Sequence, residues 1–126
     1  MATRSLVPRL TDIIEAIDRL HDVVDGMSLE DFEGDWQKQW LVERGLEIIS
    51  EASRHLTDEL KARQPEIPWR KVAGIGNVLR HNYENIAAPV MWTLVRDNLP
   101  SLYEACREEL AAEQAHEAKE GSSGPF

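Results

Sequence analysis

Apolar residues recur along this chain at the three-and-four spacing of helices almost from end to end. From Pro8 onward, Leu10, Ile13, Ile14, Ile17, Leu20 and Val24 share one side, with Asp12, Glu15, Asp18, Arg19 and Asp22 on the other. That pattern predicts an amphipathic helix, closed by Gly26 as its C-cap. Ser28-Leu29-Glu30-Asp31 has the shape of an N-cap followed by early acids, so Phe32 opens a short helical turn. The longest periodic stretch runs from Trp36 to Arg63. Trp36, Trp40, Leu41, Ile48, Ile49, Ala52, Leu56 and Leu60 form its apolar stripe, Glu43, Arg44, Glu47, Glu51 and Arg54 are threaded beside it, and Pro65 ends it.

Ile67-Pro68-Trp69 begins a third helix, with Pro68 near the first turn, where a missing N–H costs nothing. Val72, Ile75, Val78 and Leu79 supply its buried face, and the polar set Arg80, His81, Asn82 and Tyr83 lies at its end. Gly74 and Gly76 each cost about 1 kcal/mol against Ala in a helix, which points to close packing or access for a ligand. After a connector at Glu84 to Ala88, helical spacing resumes through Val90, Met91, Leu94 and Val95. Asn98-Leu99-Pro100-Ser101 is expected to break it, and Pro100 to begin a last helix carrying Leu102, Tyr103, Cys106 and Leu110. No strand-period run occurs. The expected architecture is all-α, an antiparallel bundle of four to five helices in one domain over residues 1–112, with 113–126 as a disordered polar tail.

Composition narrows the class without naming a function. Four Trp, two Phe and two Tyr leave the core to Leu, Ile, Val and Ala. No apolar run is long enough to span a membrane, and the N-terminus lacks a signal-peptide layout, so a cytoplasmic protein is expected. The single Cys106 has no internal disulfide partner and is expected to be a buried thiol. A net charge of −9 argues against nucleic acid, but its distribution is uneven. Lys61, Arg63, Arg70, Lys71 and Arg80 stand against Glu66 alone between residues 61 and 83, a local net of +4 that leaves −13 on the remainder. One basic island sits on an acidic chain.

The candidate chemistry lies in that island. His81 has an ordinary pKa near neutrality and can give or take a proton. A metal-free ribonuclease needs such a group for the ribose 2′-hydroxyl or the leaving oxygen, and a cation for the phosphoryl charge, which Arg80 can supply. The plainer reading places both at a helix C-terminus because positive groups favour that end of the dipole. Tyr83, in the same plainer reading, is a half-buried packing residue, and Trp36, Trp40, Trp69 and Trp92 are core or interface residues rather than base-stacking platforms. His21, His55, His81 and His116 come from separate segments without a metal-ligand spacing, so no metal site is expected. Gly74-Ile75-Gly76 has neither the preceding strand nor the spacing of a nucleotide-binding loop.

Several blocks in order carry a family resemblance: Glu43-Arg44-x-x-Glu47-Ile48-Ile49-Ser50-Glu51-Ala52, Pro65-Glu66-Ile67-Pro68-Trp69, Ala73-Gly74-Ile75, Asn77-Val78-Leu79-x-His81-x-Tyr83, and Trp92 to Leu99-Pro100-x-Leu102. From about Leu10 to Leu102 the chain resembles the DUF86/HepT-like branch of the HEPN superfamily. The resemblance implies a homodimer in which the His-bearing helix faces its counterpart. It also implies the toxin of a HepT–MntA type toxin–antitoxin pair: an endoribonuclease that uses no metal or cofactor, acts on RNA, and is neutralised by a minimal nucleotidyltransferase antitoxin that adenylylates a tyrosine. The family motif is Arg, four to six residues, His, any residue, Tyr, so His81 matches the catalytic histidine and Tyr83 the modified tyrosine. Arg70, Lys71, Asn77 and Asn82 are the accompanying candidates for RNA or phosphate binding.

The arginine does not carry over. Gly76 stands five residues before His81, where the family places it. Arg80 shares a helix face with position 76, about 6 Å away along the axis, and a helical side chain leans toward the N-terminus. Arg80 is therefore expected to reach back as the phosphate clamp, with Arg70 or Lys71 as the fallback. The alternative is a catalytically impaired module that dimerises and docks a nucleotidyltransferase. A helical scaffold without a nucleic-acid role is a third reading, favoured only by the acidic total charge.

Overall fold

The computed structural model describes residues 5–81 and 87–122, and every regular element in them is helical. Helix α1 spans Val7–Val24 and buries Leu10, Ile13, Ile17, Leu20 and Val24 from the set its period names; Ala16 is buried as well, and Ile14, at the edge of the stripe, is only partly covered. Gly26 then takes a φ of 74°, the left-handed turn that glycine adopts without steric cost. Helix α2, Leu29–Glu33, starts from a capping box: the Asp31 N–H donates to Ser28 Oγ at 3.0 Å and the Ser28 N–H to Asp31 Oδ2 at 3.1 Å. Its Phe32 is fully buried, 5.6 Å from the Trp92 ring.

The predicted Trp36–Arg63 helix is two. Helix α3 covers Trp36–Ser53 and α4 covers Asp58–Arg63. Thr57 divides them because its hydroxyl accepts the Leu60 N–H at 3.2 Å, an N-cap hidden inside an apolar period. The buried face of α3 is Val42, Gly45, Leu46, Ile49, Ser50, Ala52 and Ser53. Trp36, Trp40 and Leu41, expected in the apolar stripe, are instead 58%, 67% and 57% exposed. Helices α1 and α3 approach closely where Gly45 meets Leu20, and they form the centre of the core.

The third predicted helix also divides, into α5 (Trp69–Ala73) and α6 (Ile75–His81), turning at Gly74. Trp69 anchors α5 to the end of α4, its indole N–H donating to the Lys61 and Gln64 carbonyls at 3.2 and 3.0 Å. The C-terminal half behaves oppositely. Helix α7 (Ala87–Thr93) continues through a π-helical turn, Leu94–Asn98, into α8 (Leu99–Ser122), so the expected break at Pro100 is absent. The wide turn is the reason. The Leu99 N–H reaches back to the Leu94 carbonyl, and a residue inserted into the ladder lets the helix pass a proline that has no N–H to give.

Helix α8 also runs past Ala112 to Ser122, where a disordered tail is expected. Ala, Glu, Gln and Lys in this stretch are strong helix formers, and Ser5 Oγ donates to Glu117 at 3.1 Å. Lower on α8, Glu109 is buried against α4. It accepts from Arg63 Nε and Nη2 at 3.0 and 2.8 Å and from Gln64 Nε2 at 2.9 Å. Among the described residues no helix is long and apolar enough to cross a membrane.

Candidate nucleic-acid site

The basic island folds as a corner rather than a rod. Arg70 and Lys71 are exposed on α5; Asn77, Arg80 and His81 are exposed on α6, with His81 its last residue. Asn82 and Tyr83 lie outside the described residues. Gly74 makes the turn, its N–H donating to the Arg70 and Lys71 carbonyls, both at 3.1 Å. An unbroken helix would hand the Ala73 carbonyl to the N–H of Asn77. Here that carbonyl accepts from α3 instead: Ser50 Oγ at 2.7 Å, and Arg54 Nε and Nη2 at 3.3 and 2.9 Å. Two side chains one turn apart, Ser50 on α3 and Arg54 just past its end, thus hold the corner by one backbone oxygen.

Position 76 shows why glycine is accommodated beyond the corner. A Cβ placed there would lie 3.5 Å from Arg80 Nη1 and 3.9 Å from Ser50 Oγ. The Arg80 guanidinium therefore runs back along α6 and packs over the bare backbone of Gly76. A positive charge stands beside the position from which the family arginine would project. Among the described residues no hydrogen bond or ion pair joins Arg70 or Lys71 to Arg80 or His81.

Arg54 braces the corner further. Its Nη1 donates to Glu51 Oε2 at 3.1 Å, and His55 Nε2 lies 3.2 Å from Glu51 Oε1. The hydrogen bond with His55 leads the effects that hold the Glu51 carboxyl below its ordinary range, outweighing its desolvation, with Arg54 adding to them. Neither Ser50 nor Arg54 stands out in the sequence as a site residue. Arg54 looks like one more charge beside an apolar stripe, and its only signal is its place at the end of α3.

The remaining chemistry lies apart from this corner. Cys106 is fully buried, and burial, with Glu109 nearby, pushes its thiol up to about 12. Among the described residues no three His, Cys, Asp or Glu side chains converge as a metal site. An apolar cavity of about 120 Å³ lies beside α5, lined by Ile67, Val72, Ile75, Leu94 and Leu99 with Lys71 at its edge.

The blocks that build this corner are those of a known family. The family model described as Ribonuclease HepT-like matches residues 13–109. The chain belongs to the ribonuclease HepT-like family. It is 39% identical over 99 residues to a Thermococcus cleftensis protein named "Probable ribonuclease HepT", covering 79% of this chain and 90% of that protein. It is 31% identical over 107 residues to a Caldanaerobacter subterraneus protein named "Putative RNase TTE0752", covering 85% and 96%. A Methanocaldococcus jannaschii protein named "Putative RNase MJ1380" is 28% identical over 102 residues, covering 81% and 94%. No solved structure matches the chain. The match to the HepT-like model spans α1 to the middle of α8 and so includes the whole α3–α5–α6 corner.

Proposed function

We propose that this HepT-like chain is an endoribonuclease that cleaves RNA without a metal, with His81 as general acid/base and Arg80 as phosphate clamp. The observation that carries the reading is the Arg80 guanidinium lying over Gly76, five residues before the exposed His81. In such a reaction a base removes the proton of the ribose 2′-hydroxyl, and that oxygen attacks phosphorus. The bond to the 5′-oxygen breaks, and an acid protonates the leaving oxygen; a cyclic phosphate and a 5′-hydroxyl remain. His81 serves one of the two proton transfers, and Arg80 balances the charge gathering on the phosphoryl oxygens. Family membership supports extending the reading to a toxin that works as a homodimer, with Tyr83 as the residue that a nucleotidyltransferase antitoxin adenylylates.

The test is cleavage of RNA by the purified protein in EDTA, with His81→Ala and Arg80→Ala alongside. Removing the clamp is expected to lower kcat by about 10²-fold or more. Moving the cation back, in Gly76→Arg with Arg80→Ala, is expected to restore part of that loss. Equal cleavage by wild type and His81→Ala refutes the mechanism. Gly76 itself favours a second reading, a non-catalytic module that docks a nucleotidyltransferase. Growth arrest on expression of this chain alone, abolished by His81→Ala, decides against it. Incubation with the partner and ATP is expected to add the mass of one AMP to wild type and none to Tyr83→Phe.

A further inference from the structure

A surface arginine ordinarily samples many rotamers, and holding one costs side-chain entropy. Arg80 nonetheless lies along α6 toward its N-terminus, over a residue that offers it no side chain. What shapes the space it occupies is the corner before it. Ser50 Oγ and Arg80 Nη1 approach the same point above Gly76, at 3.9 and 3.5 Å, and Ser50 Oγ is also the shortest donor to the Ala73 carbonyl. The other two donors to that carbonyl are the paired N–H groups of Arg54.

We infer that Arg54 is a positioning residue for Arg80: its guanidinium fork fixes the α5–α6 corner through the Ala73 carbonyl, in the geometry that leaves the face of Gly76 open to Arg80. Its functional meaning rests on the reading of Arg80 as the phosphate clamp. Arg54 suits this role better than that of a phosphate ligand, because three of its five N–H groups are already committed. Nε and Nη2 serve Ala73 and Nη1 serves Glu51, whose other oxygen is taken by His55. A lysine has no planar fork and cannot reproduce both the pair of bonds to one carbonyl and the link to Glu51.

The experiment uses the full chain and two readouts. The first is NMR order of the arginine Nε–H groups, with exposed Arg70 as internal reference. Arg80 is expected to be more ordered than Arg70 in wild type, to fall to the level of Arg70 in Arg54→Met, and to lie between them in Arg54→Lys. An Arg80 signal unchanged in the folded Arg54 variants overturns the inference, whether or not the protein cuts RNA. Arg54→Lys keeps this comparison available if Arg54→Met does not fold.

The second readout is steady-state RNA cleavage. Arg54→Met is expected to lower kcat about 10- to 100-fold with KM within about twofold, the cost of misplacing a charge by about 1 Å. In an Arg80→Ala background the same change is expected to add little, because nothing remains to be positioned. Independent, multiplying losses overturn the inference, as does a rise in KM with kcat kept, which would make Arg54 itself a phosphate ligand. Absence of cleavage by wild type counts against the ribonuclease reading alone and leaves the Arg80 order as the deciding measurement.

Discussion

Two glycines on facing helices are expected to respond to alanine with opposite signs. At Gly45 a Cβ would stand 2.5 Å from Leu20 Cδ2, 2.8 Å from Cγ and 3.0 Å from Cδ1. The whole branch point is in the way, not a flexible tip, and Leu20 is only 2% exposed, so it has nowhere to swing. Overpacking of this kind costs about 2–3 kcal/mol, against about 1 kcal/mol gained from replacing a helical glycine, so Gly45→Ala is expected to destabilise by about 1–2 kcal/mol. At Gly76 nothing lies closer than the 3.5 Å of Arg80 Nη1, an ordinary contact. The propensity gain then stands nearly alone, and Gly76→Ala is expected to stabilise by about 0.5–1 kcal/mol. Urea unfolding followed by far-UV circular dichroism, at matched protein concentration, measures both as shifts of midpoint at unchanged slope. A Gly45→Ala protein as stable as wild type would refute the close α1–α3 contact. A destabilised Gly76→Ala protein would refute the open face that Arg80 is argued to use.

Three further outcomes follow from the packing. Cys106, fully buried with its thiol pushed up to about 12, is expected to resist iodoacetamide in the native state and to react fully in denaturant; native labelling by mass spectrometry would contradict its burial. For Glu109, burial raises the carboxyl pKa, but the hydrogen bonds from Arg63 and Gln64 and the charge of Arg63 hold it below the ordinary 4.5. A folded-state pKa below the unfolded one stabilises above that unfolded value and is lost as pH falls through the folded one. Arg63→Met is therefore expected to cost about 1–3 kcal/mol at pH 7 and much less near pH 3, and an equal cost at both would refute the pairing. Thr57→Ala removes the cap that starts α4 and is expected to cost about 1 kcal/mol in the same urea assay, with Thr57→Ser close to wild type.

How far the sequence could be read depended on which force shaped each element. Helix α1 was legible because burial alone sets it: its apolar period names five of the six buried residues, missing only the small Ala16 and counting the half-covered Ile14. The long second helix was not, because Thr57 competes locally with an apolar period that runs through Leu56 and Leu60 without a break. Trp36 and Trp40, read as core or interface residues, lie outside the core of the single chain for a related reason: hydrophobicity counts them toward a core, whereas the phase set by Val42, Leu46 and Ile49 turns them outward. At the candidate site, the location of Arg80 relative to Gly76 followed from helix spacing and side-chain direction, both local rules. The hold of Ser50 and Arg54 on Ala73 joins residues 19 to 23 positions apart in the chain and depends on tertiary packing that no periodicity encodes.

The π-helical turn at Leu94–Asn98 makes the C-terminal rod sensitive to counting. One extra residue there resets the rotational phase of everything after it by about 100°. Deleting a single residue within the turn would let the ladder close into ordinary α-helix, but it would swing Leu99, Leu102, Cys106 and Glu109 off the core and break their match to α1 and α4. Substitutions at the exposed positions of this turn should be tolerated far better than a one-residue deletion. The segment therefore works as a spacer of fixed length, setting the alignment of the two halves of the rod by residue number more than by residue type.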